Sequence, residues 1–254
     1  MRTSLGLAGC LLALTLSARA HAESALCELS SEVRAGSSER GRLVPISSAF
    51  PAGTVYVAAR PGDNSISLVA PFGEEYREIG LYWPTPNDPV YAYRRMSRLP
   101  YSTNLVANDA DQTIIVLREP TEFVIDGEKR LYRPINYAGY TLGLDGCGGN
   151  DRLYGGDGND HLFDYAGTNE LRGYGGRDWL EGVGSLFSGG AGDDCITADG
   201  GAGFTQIFGE EGDDALESVG SRGTAQGGDG TDSCVATLHG SCESEEPALC
   251  LGWN

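Results

Sequence analysis

The chain has 254 residues and a formal charge of −18, with 36 acidic side chains against 18 basic ones. Such a negative chain excludes nucleic acid and anionic membrane surfaces as partners, because binding phosphate requires a cationic surface. It also repels itself unless cations neutralise part of it.

Met1 to Ala22 reads as a secretory signal peptide. Arg2 supplies the charged start, Leu5 to Leu16 is mostly apolar, and Ala20-His21-Ala22 is a small-x-small cleavage site. The segment is too short for a membrane anchor, and no other stretch approaches the roughly 20 apolar residues of a transmembrane helix. Leu7-Ala8-Gly9-Cys10 resembles a lipoprotein box, but too little apolar sequence precedes Cys10 for that reading. Loss of Arg2 and Arg19 with the leader brings the charge to about −20. The expected location is secreted or at the cell surface, with the periplasm as the other compartment such a signal serves. Six cysteines remain: Cys27, Cys147, Cys195, Cys234, Cys242 and Cys250. An even number in an exported chain points to disulfides, and no C-x-x-C pair suggests zinc or redox chemistry.

Residues 23–145 are expected to form a small β domain of unknown function. Short runs rich in Val, Ile, Tyr and Phe (TVYVAAR, SISLVAPF, REIGLYW, TIIVL, TEFVIDG) alternate with turn signals such as Pro61-Gly62-Asp63-Asn64 and Pro86-Asn87-Asp88-Pro89. Tyr76, Tyr82, Trp83, Tyr91, Tyr93 and Tyr101 cluster in sequence with Arg94, Arg95 and Arg98. Aromatic platforms beside arginine suit a glycan or a cell-surface protein, while strand-core aromatics and a solvated basic turn are the plainer explanation.

Past Asp145 the chain becomes glycine-rich. Hexapeptides GGDGND, GYGGRD, GGAGDD, GEEGDD and GGDGTD end at Asp160, Asp178, Asp194, Asp214 and Asp232, with gaps of 18, 16, 20 and 18 residues. Each precedes a three-residue segment with an apolar or sulfur-bearing centre, giving the nonapeptide G-G-x-G-x-D-x-U-x. Cut in this phase, residues 146–235 make ten units, or five coils of about 18 residues, of an all-β parallel β-roll. Inward positions are expected at Leu153, Leu162, Leu171, Leu180, Phe187, Ile196, Ile207, Leu216, Ala225 and Cys234. The seven-residue unit GVGSLFS and the eleven-residue unit ADGGAGFTQIF offset each other.

The same phase separates two edges. Even units all end in aspartate, whereas odd units end in Asp151, Asn169, Ser185, Thr205 and Gly223. A carboxylate recurring once per coil makes a row of oxygen sites, which suits calcium. The expected ligands are Asp151, Asp160, Asp178, Asp194, Asp214 and Asp232. Glycines that tolerate positive φ can turn carbonyls toward an ion, so Gly156, Gly158, Gly176, Gly190, Gly192, Gly212, Gly228 and Gly230 are candidate backbone ligands. Five stacked aspartates define four inter-coil sites, and Asp151, with only Asn169 above it, a weaker one.

GGDGNDHLF, GGAGDDCIT and GGDGTDSCV closely resemble the haemolysin-type calcium-binding repeats of the repeats-in-toxin (RTX) family. That resemblance implies a parallel β-roll with calcium held by turn aspartates and glycine carbonyls. Residues 236–254 are expected to cap the roll, with a Cys234–Cys242 bridge folding the tail over its open end and Cys27 tied to Cys147.

No H-E-x-x-H and no G-x-S-x-G is present. His161 falls on an outward strand position, His239 in the tail, and Glu74-Glu75 and Asp109–Asp111 read as solvated loops. The expectation is an exported, non-catalytic calcium-binding β-roll serving as a surface, adhesion or structural module. The alternative is a secreted hydrolase with an unfamiliar site in the N-terminal domain.

Overall fold

The computed structural model describes residues 44–45, 53–61, 66–82, 102–107, 109–135, 141–201, 203–219 and 222–244. In chain order the first strands are β1 (Val44–Pro45), β2 (Gly53–Ala59), β3 (Ile66–Phe72), β4 (Glu75–Tyr82), β5 (Ser102–Val106) and β6 (Gln112–Val116). There follow β7 (Thr121–Ile125), β8 (Glu128–Tyr132), β9 (Thr141–Asp145), β10 (Arg152–Tyr154), β11 (Asp160–Gly175) and β12 (Trp179–Ala191). The last are β13 (Cys195–Asp199), β14 (Thr205–Glu211), β15 (Ala215–Val219), β16 (Gly223–Asp229), β17 (Ser233–Val235) and β18 (Leu238–Gly240). Among the described residues there is no helix long and apolar enough to cross a membrane.

The glycine-rich part is the parallel β-solenoid expected, with about 18 residues per coil. Its front sheet stacks the first part of β11, the first part of β12, β13, β15 and β17 in parallel. Its back sheet stacks β10, the second part of β11, the second part of β12, β14, β16 and β18. The register follows the aspartate gaps: His161 pairs with Trp179, Trp179 with Cys195, Cys195 with Ala215, and Ala215 with Ser233. The unequal gaps are absorbed in turns, so every strand keeps its face. All ten expected inward side chains are buried, from Leu153 to Cys234, at no more than 2 % exposure. One such side chain per strand leaves a thin core, and burial of a Leu or Ile contributes about 1.5–3 kcal/mol.

Both ladders continue N-terminally past the point where the sequence changes character. β9 pairs in parallel with β11, β5 with β9, and β1 with β5. On the other face β6 pairs with β10 and β2 with β6. Val55, Val57, Leu105, Ile114, Val116, Leu142 and Leu144 join the roll's leucines in one core. The N-terminal strands thus cover the open edge that the roll's first coil would otherwise present.

Two antiparallel excursions interrupt this part, the meander β2–β3–β4 and the hairpin β7–β8. Asp126 and Gly127 turn the second hairpin with φ of 54° and 77°, as a tight two-residue turn requires. Its return strand, EKRLY, exposes most of its side chains, and so carries little hydrophobic pattern to read. The hairpins enclose a smaller core of Val69, Leu117, Phe123, Ile125 and Tyr132. Tyr76 belongs here, 4.7 Å from Phe123 and 6.1 Å from Tyr56. Trp83, Tyr91, Tyr93, Tyr101, Arg94, Arg95 and Arg98 lie outside the described residues, as does the leader.

At the far end Cys234 and Cys242 are bridged, with Cα atoms 5.8 Å apart. The tail winds on and comes to lie parallel to β17: Ser244 pairs with Ser233, and the Cys234 N–H donates to the Ser244 carbonyl at 2.9 Å. Cys147 and Cys195 each take part in a disulfide as well. Cys27 and Cys250 lie outside the described residues.

Candidate metal centre

The turns that lead from the back sheet to the front sheet stack Asp160, Asp178, Asp194, Asp214 and Asp232 in one row, each 0–3 % exposed. Their orientation is set by backbone. The N–H of Asp160 donates to Asp178 Oδ1 at 2.7 Å, and that of Asp178 to Asp194 Oδ1 at 2.7 Å. Asp194 N–H donates to Asp214 Oδ1 at 2.8 Å, and Asp214 N–H to Asp232 Oδ1 at 2.9 Å. In the tail Glu243 replaces the missing next aspartate, accepting from the Asp232 N–H at 2.7 Å. A second ladder one residue earlier runs the opposite way along the coils: Arg177 N–H to Asn159 Oδ1, Asp213 N–H to Asp193 Oδ1, and Thr231 N–H to Asp213 Oδ1.

The other oxygen of the inner row has a different fate. Asp178, Asp194, Asp214 and Asp232 each bury Oδ2 with no hydrogen-bond partner. A buried carboxylate oxygen left this way costs several kcal/mol unless a proton or a cation meets it. Each Oδ2 lies over the first glycine of its turn, and a Cβ built on Gly173, Gly189, Gly209 or Gly227 would meet it at 2.1–2.2 Å. Space, not φ, demands glycine there. At the fourth position of the turn the demand is conformational: Gly176, Gly192, Gly212 and Gly230 have φ between 110° and 143°. Here Gly158, Gly176, Gly192 and Gly212 direct their carbonyls at the next coil's glycine. Gly190 and Gly228 stack on either side of Glu210, and Gly156 accepts from the Gly175 N–H at 3.2 Å. Tyr174 and Glu210 share this second column at φ of 77° and 83°. These are left-handed conformations in non-glycine residues that the sequence pattern did not single out.

The requirement for space is testable. Gly209→Ala puts a Cβ 2.1 Å from Asp214 Oδ2 and 2.5 Å from the Gly227 carbonyl, and is expected to destabilise by about 1–3 kcal/mol. Gly240→Ala meets nothing within 4 Å and should stay within about 0.5 kcal/mol of wild type. Equal denaturation midpoints for the two variants would refute this geometry.

Burial raises these acids. It pushes Asp178 up to about 10, helped by the charges of Asp160 and Asp194. It raises Asp194 to about 8 and Asp214 to about 7, each with a smaller push from neighbouring carboxylates, and Asp232 moves the same way. An acid whose pKa is higher folded than unfolded makes the native state take up protons, so stability falls as pH rises between the two values. The metal-free protein is therefore expected to be most stable near pH 4 and to lose stability from there through about pH 7–10. Thermal melts after exhaustive calcium removal check this: the midpoint should drop from pH 5 to pH 8, and a rise would contradict it.

On the opposite edge the row reads Gln112, Asp151, Asn169. Gln112 N–H donates to Asp151 Oδ1 at 2.7 Å, and Asp151 N–H to Asn169 Oδ1 at 2.8 Å. Asn169 uses its amide to donate to the Ala166 and Val183 carbonyls, and Ser185, Thr205 and Gly223 follow without a carboxylate. Asp111 accepts from the Asn150 N–H at 2.7 Å, so the Asp109–Asp111 loop is the equivalent turn one coil earlier. Two buried acids here, Asp145 and Asp164, were not among the expected site residues. Asp164 occupies the place of a turn's first glycine, and that substitution was the available signal.

Among the described residues no three His, Cys, Asp or Glu side chains converge on one point. Carboxylates arrive one per coil, so a cation on the ridge must be completed by backbone carbonyls. That donor set fits calcium, which takes six to eight oxygens with flexible geometry, and does not fit zinc. Residues 145–182 and 186–205 match the model of the RTX calcium-binding nonapeptide repeat, in four copies. These segments are RTX calcium-binding repeats. Such repeats bind calcium, and the turns at 209–214 and 227–232, beyond the matched RTX segments, repeat the same aspartate ladder. No curated protein and no solved structure matches the chain.

Two histidines, His161 and His239, lie among the described residues. His161 stacks on Trp179 at 4.5 Å and 11° and lies against Phe163, and His239 is exposed. Glu74 and Glu75 sit exposed at the β3–β4 turn.

Proposed function

We propose that the protein is an exported, non-catalytic module whose roll is stiffened by calcium outside the cell, and that it serves as a structural or adhesive surface element. The ridge aspartates Asp160, Asp178, Asp194, Asp214 and Asp232 hold the ions between successive coils, with carbonyls of the turn glycines completing each shell. Asp151 contributes on the other edge. Calcium supplies positive charge, not reaction chemistry. The observation that carries this reading is the row of buried Oδ2 atoms without hydrogen-bond partners. Each waits on a proton or a cation, and at neutral pH in millimolar calcium the cation wins. Residues 146–235 are the calcium-binding part, residues 23–145 the part that meets a glycan or a cell-surface protein, and residues 236–254 the cap. The leader-like run from Met1 to Ala22 supports export.

Isothermal titration of the full chain with calcium tests the reading. Several ions per chain at dissociation constants of about 10⁻⁴–10⁻³ M are expected; absence of heat up to about 10 mM would sink it.

A further inference from the structure

We propose that the C-terminal segment 245–254 docks across the outer face of the front sheet and is fastened there by a Cys195–Cys250 disulfide, as a strap over the roll's last coils. Alternation places Ile196 in the core and Cys195 on the outer face. The ladder neighbours of Cys195 on that face, Trp179 and Ala215, are half-buried, whereas Cys195 is 0 % exposed. Glu181 faces the same way and is 3 % exposed, although Phe163 and Thr197 on either side of it in the ladder are half-buried. His161 Nε2 and Trp179 Nε1 are buried from solvent as well. The strands that β13 chiefly contacts are its ladder neighbours β12 and β15 and, across the core, β14. None of these covers the outer face, so the cover comes from chain beyond the described strands.

Register decides which cysteine brings that cover. Cys147, Cys195, Cys234 and Cys242 are all in disulfides, and Cys234 is bridged to Cys242. Cys195 pairs with Trp179, Trp179 with His161, and His161 with Gly143, so three strand spacings, about 14 Å, separate Cys195 from the coil of Cys147. A disulfide joins Cα atoms about 4.4–6.8 Å apart, so these two cannot join each other. With Cys10 in the leader, their partners are Cys27 and Cys250. Ser244 stacks on Ser233, Ser233 on Ala215 and Ala215 on Cys195, again three spacings. The chain from Ser244 to Cys250 spans up to about 20–22 Å, enough to reach Cys195. The row of Gly143 is twice as far from Ser244, about 29 Å, and Cys147 lies further to the side. That exceeds the extended segment even with a disulfide added. Cys250 therefore falls to Cys195, which leaves Cys27 for Cys147. Leu249, Leu251 and Trp253 flank Cys250 and suit a face that carries Phe163 and Trp179. Closing the bond takes two electrons and two protons from the two thiols, accepted by a disulfide oxidant of an oxidising compartment. The strap crosses β13, β15 and β17, which follow Asp194, Asp214 and Asp232, and holds those coils together whether or not their turns bind ions.

Peptide mapping of the oxidised full-length chain by mass spectrometry, without reduction, tests the strap. Cleavage after Glu243, Glu245 and Glu246 parts Cys250 from the Cys234–Cys242 pair. A peptide holding Cys195 is expected to be linked to one holding Cys250. A free Cys250 thiol, Cys250 joined to Cys147, or Cys195 joined to Cys27 overturns the assignment. Cys195→Ser with Cys250→Ser is expected to melt about 4–16 °C below wild type when both proteins are oxidised, and close to it after reduction. Coincident oxidised melts overturn the strap as a support of the roll. Ending the chain after Ser244 should open Cys195 to alkylation in the folded protein. A Cys195 still shielded there means that another segment covers the face, and overturns the docking. Should the shortened chain not fold, the mapping and the melts of the double variant still decide.

Discussion

Stripped of calcium at pH 8, the protein is expected to unfold about 12–24 °C lower than in millimolar calcium. Five stacked aspartates leave four gaps between coils. With calcium at about ten times the dissociation constant, each gap contributes about 1.4 kcal/mol, and four together about 6 kcal/mol. For a fold of this size each kcal/mol moves the midpoint by about 2–4 °C. Without the ion, Asp194 and Asp214, raised to about 8 and about 7, must either take up protons, against which pH 8 works, or stay charged in a buried row. Scanning calorimetry with chelator and with calcium measures the difference. Sodium chloride at matched ionic strength is the control, since screening acts weakly on buried groups. Coincident melts in chelator and calcium would remove the ion from any account of this fold.

Replacing Asp178 and Asp214 together by asparagine is expected to abolish most of that calcium response while leaving the chelated protein at least as stable as wild type. Asp178 borders two gaps and Asp214 the other two, so the pair withdraws charge from all four. Asparagine keeps the ladder intact, because its Oδ1 can accept the neighbouring N–H; Asn169 already does so for Asp151 at 2.8 Å. The calcium-free fold is also relieved of two buried acids. The corresponding alanine pair differs: the N–H groups of Asp160 and Asp194 lose their acceptors, at about 1–3 kcal/mol each. Chelated melts should therefore rank asparagine at or above wild type, and alanine below it. If the asparagine protein gained as much from calcium as wild type, charge on the ridge would be irrelevant to the ion.

The period of the roll, its inward side chains and its asymmetric edges were all legible in the chain. A strand shows its buried face through alternate residues, and a turn that stacks on itself must repeat its glycines and its aspartate. Even the 16- and 20-residue gaps were readable as one register, because GVGSLFS and ADGGAGFTQIF change turn length and not strand phase. What sits on the roll's first coil was not legible. β5 and β9 carry no nonapeptide, and their parallel pairing with each other and with β11 is a contact between distant parts of the chain. Local pattern says that a strand has an edge; only tertiary structure says which strand covers it. The same holds for the burial of Asp145 and Asp164, over which neighbouring coils close. Tyr76 likewise joins a core made by hairpins whose meeting no local signal encodes. Periodicity determines the repeat and its ligand chemistry, whereas burial and partnership at the roll's ends depend on long-range packing.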